Sequence, residues 1–273
     1  DDTMTGALRA YAAANQGNVI SPFILGGAMS PVTQPALIAQ AHAEAMVGIA
    51  LTQLVRLGAP VVYGTFLTTM DLKTGAPTFG TPESTLACLA ISQLCRRLSL
   101  PFRCGGHLTA SKVADGQAMQ ESMNTMNPAI MAGANFIFQS AGWLEGGLTI
   151  GYEKFLMDSD NCAAIASMLK GLSLDDNQLA ADAYLEAGIG NNFLGVAHTM
   201  RNYRDANYRA ELSDTHSFEQ WQENGSLDMQ QRAQQRCKQM LLDYQPPPMD
   251  PAIDEALLDF VARKKASMVD AWY

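Results

Sequence analysis

Four short apolar runs recur at nearly even spacing in this chain of 273 residues, and that spacing limits its possible folds more than any other feature. The runs cover residues 19–25, 60–67, 101–104 and 135–139. Most are rich in Val, Ile, Phe or Tyr, and none alternates cleanly between apolar and polar positions. That is the pattern of parallel strands covered on both faces. Their starts at 19, 60, 101 and 135 lie 41, 41 and 34 residues apart, enough for a crossover helix and its loops each time. Helical patterns fill the gaps at 35–57, 82–98 and 114–126, the last ending before Pro128. Strand, crossover helix and parallel strand define an α/β protein. A fifth strand is expected at 192–196. Beyond Tyr203 the pattern is helical only: a capping box at Ser217-Phe-Glu-Gln220, an amphipathic stretch at 227–244, a stiff Pro246-Pro-Pro break, and a last helix opened by Asp250-Pro251.

Four or five βα units cannot close an eight-stranded barrel. The expectation is therefore either an open doubly wound sheet or the C-terminal portion of a TIM-barrel-type α/β fold, in which βα repeats over 1–203 precede an all-helical tail over 204–273. The opening residues 1–16 read as a helix feeding the first strand, and the chain starts without Met, which favours the second reading. Open apolar sheet edges in such a fold invite pairing, so a homo-oligomer is expected.

Composition removes other classes. Apolar residues at 48% and charged residues at 16% supply a core and exclude intrinsic disorder. A net charge of −9 gives no basic footprint for nucleic acid. No run approaches a membrane span. Five cysteines without a CxxC pair point to a reducing cytoplasm. Neither GxGxxG nor GxxxxGK[ST] occurs, so no nucleotide cofactor is expected.

Ligands of parallel α/β folds bind at the C-terminal ends of the strands. There the sequence offers Leu25-Gly-Gly-Ala-Met-Ser30, Tyr63-Gly-Thr65-Phe, Arg103-Cys-Gly-Gly-His107 with Lys112 beyond it, and Gln139-Ser-Ala-Gly-Trp143-Leu-Glu145-Gly-Gly147; a fifth strand would add Gly195-Val-Ala-His198. A wide, glycine-lined mouth with few charges suits a bulky cofactor or partner better than a phosphate. Each candidate has a plain structural alternative. Tyr63 and Gln139 could fill the barrel top, Glu145 could cap the helix starting near Tyr152, and Lys112 could be a solvated helix start. Cys104 and His107 are too few to define a zinc site. His42 reads as structural, and His198 as the histidine most open to a functional role.

Taken together these loops resemble the trimethylamine:corrinoid methyltransferase family. The motifs are Tyr63-Gly-Thr-Phe, Lys73-Thr-Gly-Ala-Pro-Thr-Phe-Gly-Thr-Pro-Glu83, Arg96-Arg-Leu with Pro101-Phe-Arg, and Ala141-Gly-Trp-Leu-Glu-Gly-Gly147. Phe193-Leu-Gly-Val-Ala-His198, Ser217-Phe-Glu-Gln-Trp221 and Pro246-Pro-Pro-Met-Asp-Pro-Ala-Ile-Asp-Glu255 extend the match over essentially the whole chain. The resemblance implies the C-terminal part of a longer TIM-barrel chain that moves a methyl group from a methylated amine to the cob(I)alamin of a corrinoid protein. No bound metal is expected, because Cys104 and His107 stand without further ligands nearby. Such a reaction asks the protein to hold an N-methyl group in line with cobalt and to stabilise a cationic donor. Tyr63, Glu145 and His198 are the expected catalytic residues, and Thr65, His107, Lys112, Gln139, Trp143 and Tyr152 the expected substrate contacts. Trimethylamine enzymes of the family carry pyrrolysine, whereas this chain holds standard residues only, so a quaternary amine such as glycine betaine is the expected donor. Where many relatives have Gly-Gly-His before the position of Phe193, this chain has Gly190-Asn-Asn192. The alternatives are a non-catalytic binding or scaffold fragment and a zinc-dependent methyl transfer enzyme.

Overall fold

A computed structural model describes residues 1–269. The end of the expected helical tail, 270–273, lies outside the described residues. Helix α1 (Asp2–Ala13), whose first turn is capped by the Asp1 carboxylate accepting from the Met4 N–H at 2.8 Å, leads into strand β1 (Asn18–Ile20). Then follow β2 (Phe23–Gly26), α2 (Gln34–Val55), β3 (Val61–Gly64), β4 (Phe66–Met70), β5 (Pro77–Thr78), α3 (Pro82–Arg97), β6 (Phe102–Gly105), α4 (Gly116–Met131) and β7 (Phe136–Phe138). Strands β1, β3, β6 and β7 pair in that order, all parallel, with α2, α3 and α4 as the connections. The mixed α/β class and the parallel sheet agree with the strand spacing.

Two expected strands are each broken in two. Run 19–25 is interrupted at Ser21-Pro22 and run 60–67 at Thr65. Pro22 has no N–H for the ladder, so pairing stops there; its carbonyl instead accepts from the Phe66 N–H at 3.2 Å. Past the breaks, β2 and β4 pair again in parallel, and β5 adds an antiparallel edge. A small second sheet therefore stands over the C-terminal end of the first.

Covering of both strand faces, expected from the sequence, holds for one face among the described residues. Register puts Ile20, Tyr63 and Phe102 in one row, and Cys104 with Ile137 in the next. This face meets Leu37, Ala41, Ala45 and Ile49 of α2, Ile91 and Cys95 of α3, and Ala129 of α4 in the main core. The i, i+4 spacing of the α2 residues makes a narrow stripe whose middle two side chains, Ala41 and Ala45, are small. Gly48 lies so close to β1 that a Cβ there would fall 2.7 Å from Ile20 Cγ2. The opposite face carries Val19, Arg103, Phe136 and Phe138, and the three apolar side chains are about half exposed.

Helix α4 does not end before Pro128 but runs through it to Met131. Proline leaves the carbonyl four residues earlier without its usual donor. That carbonyl, of Asn124, accepts instead from the Thr85 hydroxyl of α3 at 3.2 Å.

The loop after β7 makes a two-stranded hairpin, β8 (Trp143–Leu144) with β9 (Thr149–Ile150), before α5 (Tyr152–Met168). Then come α6 (Asp176–Leu179), α7 (Ala181–Ala187) and α8 (Ala197–Asn202). The strand expected at 192–196 is a loop. The Asn192 side chain accepts from the Leu194 N–H at 3.0 Å, a local turn that competes with extended backbone. Phe193 packs edge-on against Tyr184, and Val196 is buried against Ala183 and Ala187. Helices α9 (Phe218–Glu223), α10 (Met229–Asp243) and α11 (Pro251–Ser267) complete the tail. The expected caps are present: the Ser217 hydroxyl accepts from the Gln220 N–H and the Asp250 carboxylate from the Ala252 N–H. Residue contacts divide the chain into two units, Asp1–Cys237 and Lys238–Tyr273. No helix of the described residues is long and apolar enough to cross a membrane.

Candidate functional site

The exposed face of the parallel sheet forms a depression lined by Val19, Ser21, Phe23, Phe66, Arg103, Phe136, Phe138 and Gln139. It is apolar and aromatic except for Ser21, Gln139 and one cation. Arg103 lies on β6 in the row Gly64–Arg103–Phe136. Gly64 makes room in this row, because a Cβ there would fall 2.6 Å from the Cβ of Ser21.

The guanidinium of Arg103 is almost fully buried, and burial lowers its pKa without threatening its charge. Nη1 donates to the Ser21 hydroxyl at 3.1 Å and to the Thr65 carbonyl at 3.3 Å, while Nη2 donates to Gln139 Oε1 at 3.0 Å. The group also lies over the Phe138 ring, 5.3 Å from its centroid. Of its five N–H donors, the Nε–H and one of the two on Nη2 have no acceptor among the described residues. These two donors are available to the oxygens of a carboxylate. Gln139 holds a left-handed backbone conformation, φ 58°, which brings its amide back onto Arg103. Two expected contacts, Thr65 and Gln139, thus meet at a residue not singled out as a candidate. An arginine inside an apolar strand was the available signal.

The other expected residues sort by position. Trp143 and Glu145 sit in the loop after β7, which is tied to the loop after β6: the Glu145 N–H donates to the Ser111 carbonyl at 2.7 Å and the Gly146 N–H to the Thr109 carbonyl at 2.9 Å. Glu145 is exposed, with φ 54°. It does not cap α5, whose N-cap is Gly151. This loop approaches the depression through aromatic neighbours. A Cβ at Gly146 would touch Phe79, and Phe79 lies 6.0 Å centroid to centroid from Phe66. Tyr152, at the start of α5, is exposed, and the Lys112 ammonium donates to the carbonyl of Ala110 two residues away.

Tyr63, His107 and His198 lie elsewhere. Tyr63 is on the helix-facing side of β3, in the core, with its hydroxyl 3.1 Å from His42 Nδ1. Burial pushes its phenol pKa well above 10. His107 is fully buried; its Nδ1 donates to the Ser140 carbonyl at 2.6 Å and its Nε2 accepts from Asn161 at 3.2 Å. With both nitrogens engaged and burial holding its pKa below 6.5, the ring is neutral. His198 is on α8, with Nε2 2.7 Å from the Asn177 carbonyl, in the group packed on α7. Cys104 faces the helix layer, where Cys88 and burial keep its thiol protonated. Among the described residues no three His, Cys, Asp or Glu side chains converge as a metal site.

Polar groups that sequence reasoning missed hold the two loops. The Glu121 carboxylate accepts from the Thr109 hydroxyl and from the N–H groups of Ala110 and Ser111. Lys154 and Asp158 form an ion pair on successive turns of α5, both fully buried. In the sequence this i, i+4 pair looks like a solvated helix face.

The chain matches the family model described as Trimethylamine methyltransferase (MTTB) over residues 1–269. It is 36% identical over 264 residues to a glycine betaine methyltransferase of Desulfitobacterium hafniense (strain Y51), covering 97% of this chain and 55% of that protein. It is 36% identical over 234 residues to a trimethylamine methyltransferase of Methanosarcina barkeri (strain Fusaro / DSM 804), covering 85% and 46%. It is 32% identical over 237 residues to a trimethylamine methyltransferase of Desulfitobacterium hafniense (strain DSM 10664 / DCB-2), covering 87% and 47%. The chain spans about half the length of these curated relatives.

Proposed function

We propose, from the premise that this chain belongs to the trimethylamine methyltransferase family, that it takes part in methyl transfer from a carboxylate-bearing quaternary amine such as glycine betaine to the cob(I)alamin of a partner corrinoid protein. In this reading its parallel sheet is the C-terminal portion of a (βα)8 barrel, and the depression around Arg103 is part of the barrel interior.

The observation that carries the donor class is Arg103. A fixed positive charge is a poor neighbour for a methylammonium: two unit charges about 6 Å apart repel by about 3 kcal/mol at an effective dielectric constant of about 20. A donor with its own carboxylate reverses the sign, because the free guanidinium N–H donors can pair with that carboxylate. Its N-methyl groups then fall against Phe23, Phe66, Phe136 and Phe138, whose ring faces favour a quaternary ammonium.

A partner-borne corrinoid would supply the cobalt nucleophile. The fit to this group rests on the donor pocket: the depression is open, and its lining is apolar apart from the groups that orient Arg103. The chain's own residues then have three tasks. Arg103, held by Ser21, Thr65 and Gln139, anchors the carboxylate. The aromatic lining excludes water and bears the ammonium. Glu145 and Trp143, on the loop after β7 whose Gly146 lies against Phe79 beside Phe66, add negative charge and a ring face. No proton has to move, because a quaternary amine leaves as a neutral tertiary amine. Calorimetric titration tests this reading: glycine betaine binds, and tetramethylammonium and trimethylamine bind at least tenfold more weakly, about 1.4 kcal/mol. Equal affinity for all three would remove Arg103 as the basis for the donor class.

A further inference from the structure

One face of α5 carries polar residues turned inward, with Lys154 and Asp158 fully buried and Asn161 and Cys162 half-buried. Lys154, Asp158, Asn161 and Cys162 follow one another at i, i+4, i+7 and i+8, the spacing that amphipathic helices normally give to apolar residues. Each is engaged by groups of the neighbouring loops and of α4. The Lys154 ammonium donates to the Ser122 hydroxyl of α4 at 2.8 Å and to the carbonyl of His107 at 3.5 Å, besides its ion pair with Asp158. Asp158 Oδ2 accepts from the N–H of Gly142 at 2.8 Å. Asn161 donates to His107 Nε2, and the Cys162 thiol lies 3.7 Å from the carbonyl of Ser140, which also accepts from His107. The stripe grips the two loops that end β6 and β7.

Gly142 is the critical junction. Its φ of 85° is the left-handed conformation open to glycine, and a Cβ there would lie 3.0 Å from Ile150 and 3.1 Å from Phe155. Its carbonyl accepts from the Gly151 N–H at 3.0 Å. Trp143 follows directly, then Leu144 and Glu145. Burying a charge pair inside a helix interface is a poor means of stabilising a fold, because desolvation consumes the attraction. Its contacts suggest another use.

We propose that Lys154 and Asp158 are positioning residues: through the Gly142 N–H they fix where Trp143 and Glu145 stand relative to the donor. Lys154 holds the Asp158 carboxylate in place, and Asp158 sets the loop. This inference rests on the assignment of Trp143 and Glu145 to the donor made under the proposed function.

Two variants separate positioning from bulk stability. Asp158→Asn keeps an oxygen for the Gly142 N–H but leaves Lys154 without its counter-charge; its Tm falls while donor Kd stays within about twofold, since the hydrogen bond that sets the loop survives. The double variant Lys154→Met with Asp158→Leu removes both charges together; its Tm stays close to that of the parent, the Gly142 amide exchanges with deuterium at least about tenfold faster, and glycine betaine Kd rises about tenfold or more. A donor Kd that tracks Tm across the two variants, or a double variant whose Gly142 exchange and Kd match the parent, overturns the proposal. If the double variant does not fold, a donor Kd in Asp158→Asn that rises in step with its lost Tm overturns it as well, and an unchanged Kd supports it. If the parent chain binds no methylamine, the proposed function fails, while Gly142 exchange still reports whether the pair sets the loop.

Discussion

Replacing Arg103 by Met leaves an apolar stem of similar reach and removes the charge. Three internal hydrogen bonds are lost, to Ser21, Thr65 and Gln139. At about 1 kcal/mol each, less the desolvation cost that the buried charge no longer bears, the net loss is about 1–2 kcal/mol. For a domain of this size that lowers Tm by about 2–8 °C, so the protein stays folded. The larger effect falls on the donor. A carboxylate on the free guanidinium N–H donors would make two charge-assisted bonds whose joint loss costs about 2–3 kcal/mol, weakening glycine betaine binding about 30- to 150-fold. A donor without a carboxylate, tetramethylammonium, responds the opposite way. Relief of a repulsion of up to about 3 kcal/mol strengthens its binding, by about tenfold after solvent screening. The assay is calorimetric titration of both ligands into the parent and into Arg103→Met at matched ionic strength. Equal weakening of both ligands would refute the reasoning, because it would make Arg103 a structural element of the sheet rather than a partner of the donor's carboxylate.

The remaining predictions test the frame around the site. Gly64→Ala puts a methyl against Ser21 and costs about 1–3 kcal/mol, read as a lower Tm in thermal denaturation. Tyr63→Phe removes the bond to His42 and costs about 1 kcal/mol, with donor affinity unchanged because the ring faces the helix layer; a large loss of affinity would return Tyr63 to the site. Burial holds the His107 pKa below 6.5, so as pH falls past 6.5 the unfolded chain takes up a proton that the native chain refuses; stability is lost from pH 6.5 down to the lowered native pKa, and in His107→Gln that part of the acid dependence of Tm disappears.

The sequence exposed the parts of this molecule that depend on periodicity and caps. Four strands, their parallel order, the three crossover helices and the caps at Ser217 and Asp250 follow from local pattern. What stayed hidden depends on partners far apart in the chain. Pro128 reads as a helix stop, and only Thr85, 43 residues earlier, shows why the helix continues. The run at 192–196 has strand-like residues, but Asn192 turns the backbone and α7 takes Val196. Within the site, Thr65 and Gln139 were legible because they end strands. Arg103 stood only as part of a strand-end segment, and it takes register to place it beside Gly64 and Phe136 on the open face. The pair Lys154 and Asp158 has the spacing of a solvated salt bridge, and burial alone distinguishes it. Tyr63 shows the limit of a strand-level reading: a single residue of phase decides whether a side chain faces the open side of the sheet or the helices.

The central claim is methyl transfer from a carboxylate-bearing quaternary amine. The most direct measurement supplies the chain with free cob(I)alamin under anaerobic conditions, adds glycine betaine or trimethylamine, and follows the absorbance of cob(I)alamin and methylcobalamin. The account predicts methylcobalamin from glycine betaine, accompanied by dimethylglycine in equal amount, and none above background from trimethylamine. Methylcobalamin from trimethylamine with none from glycine betaine would contradict it.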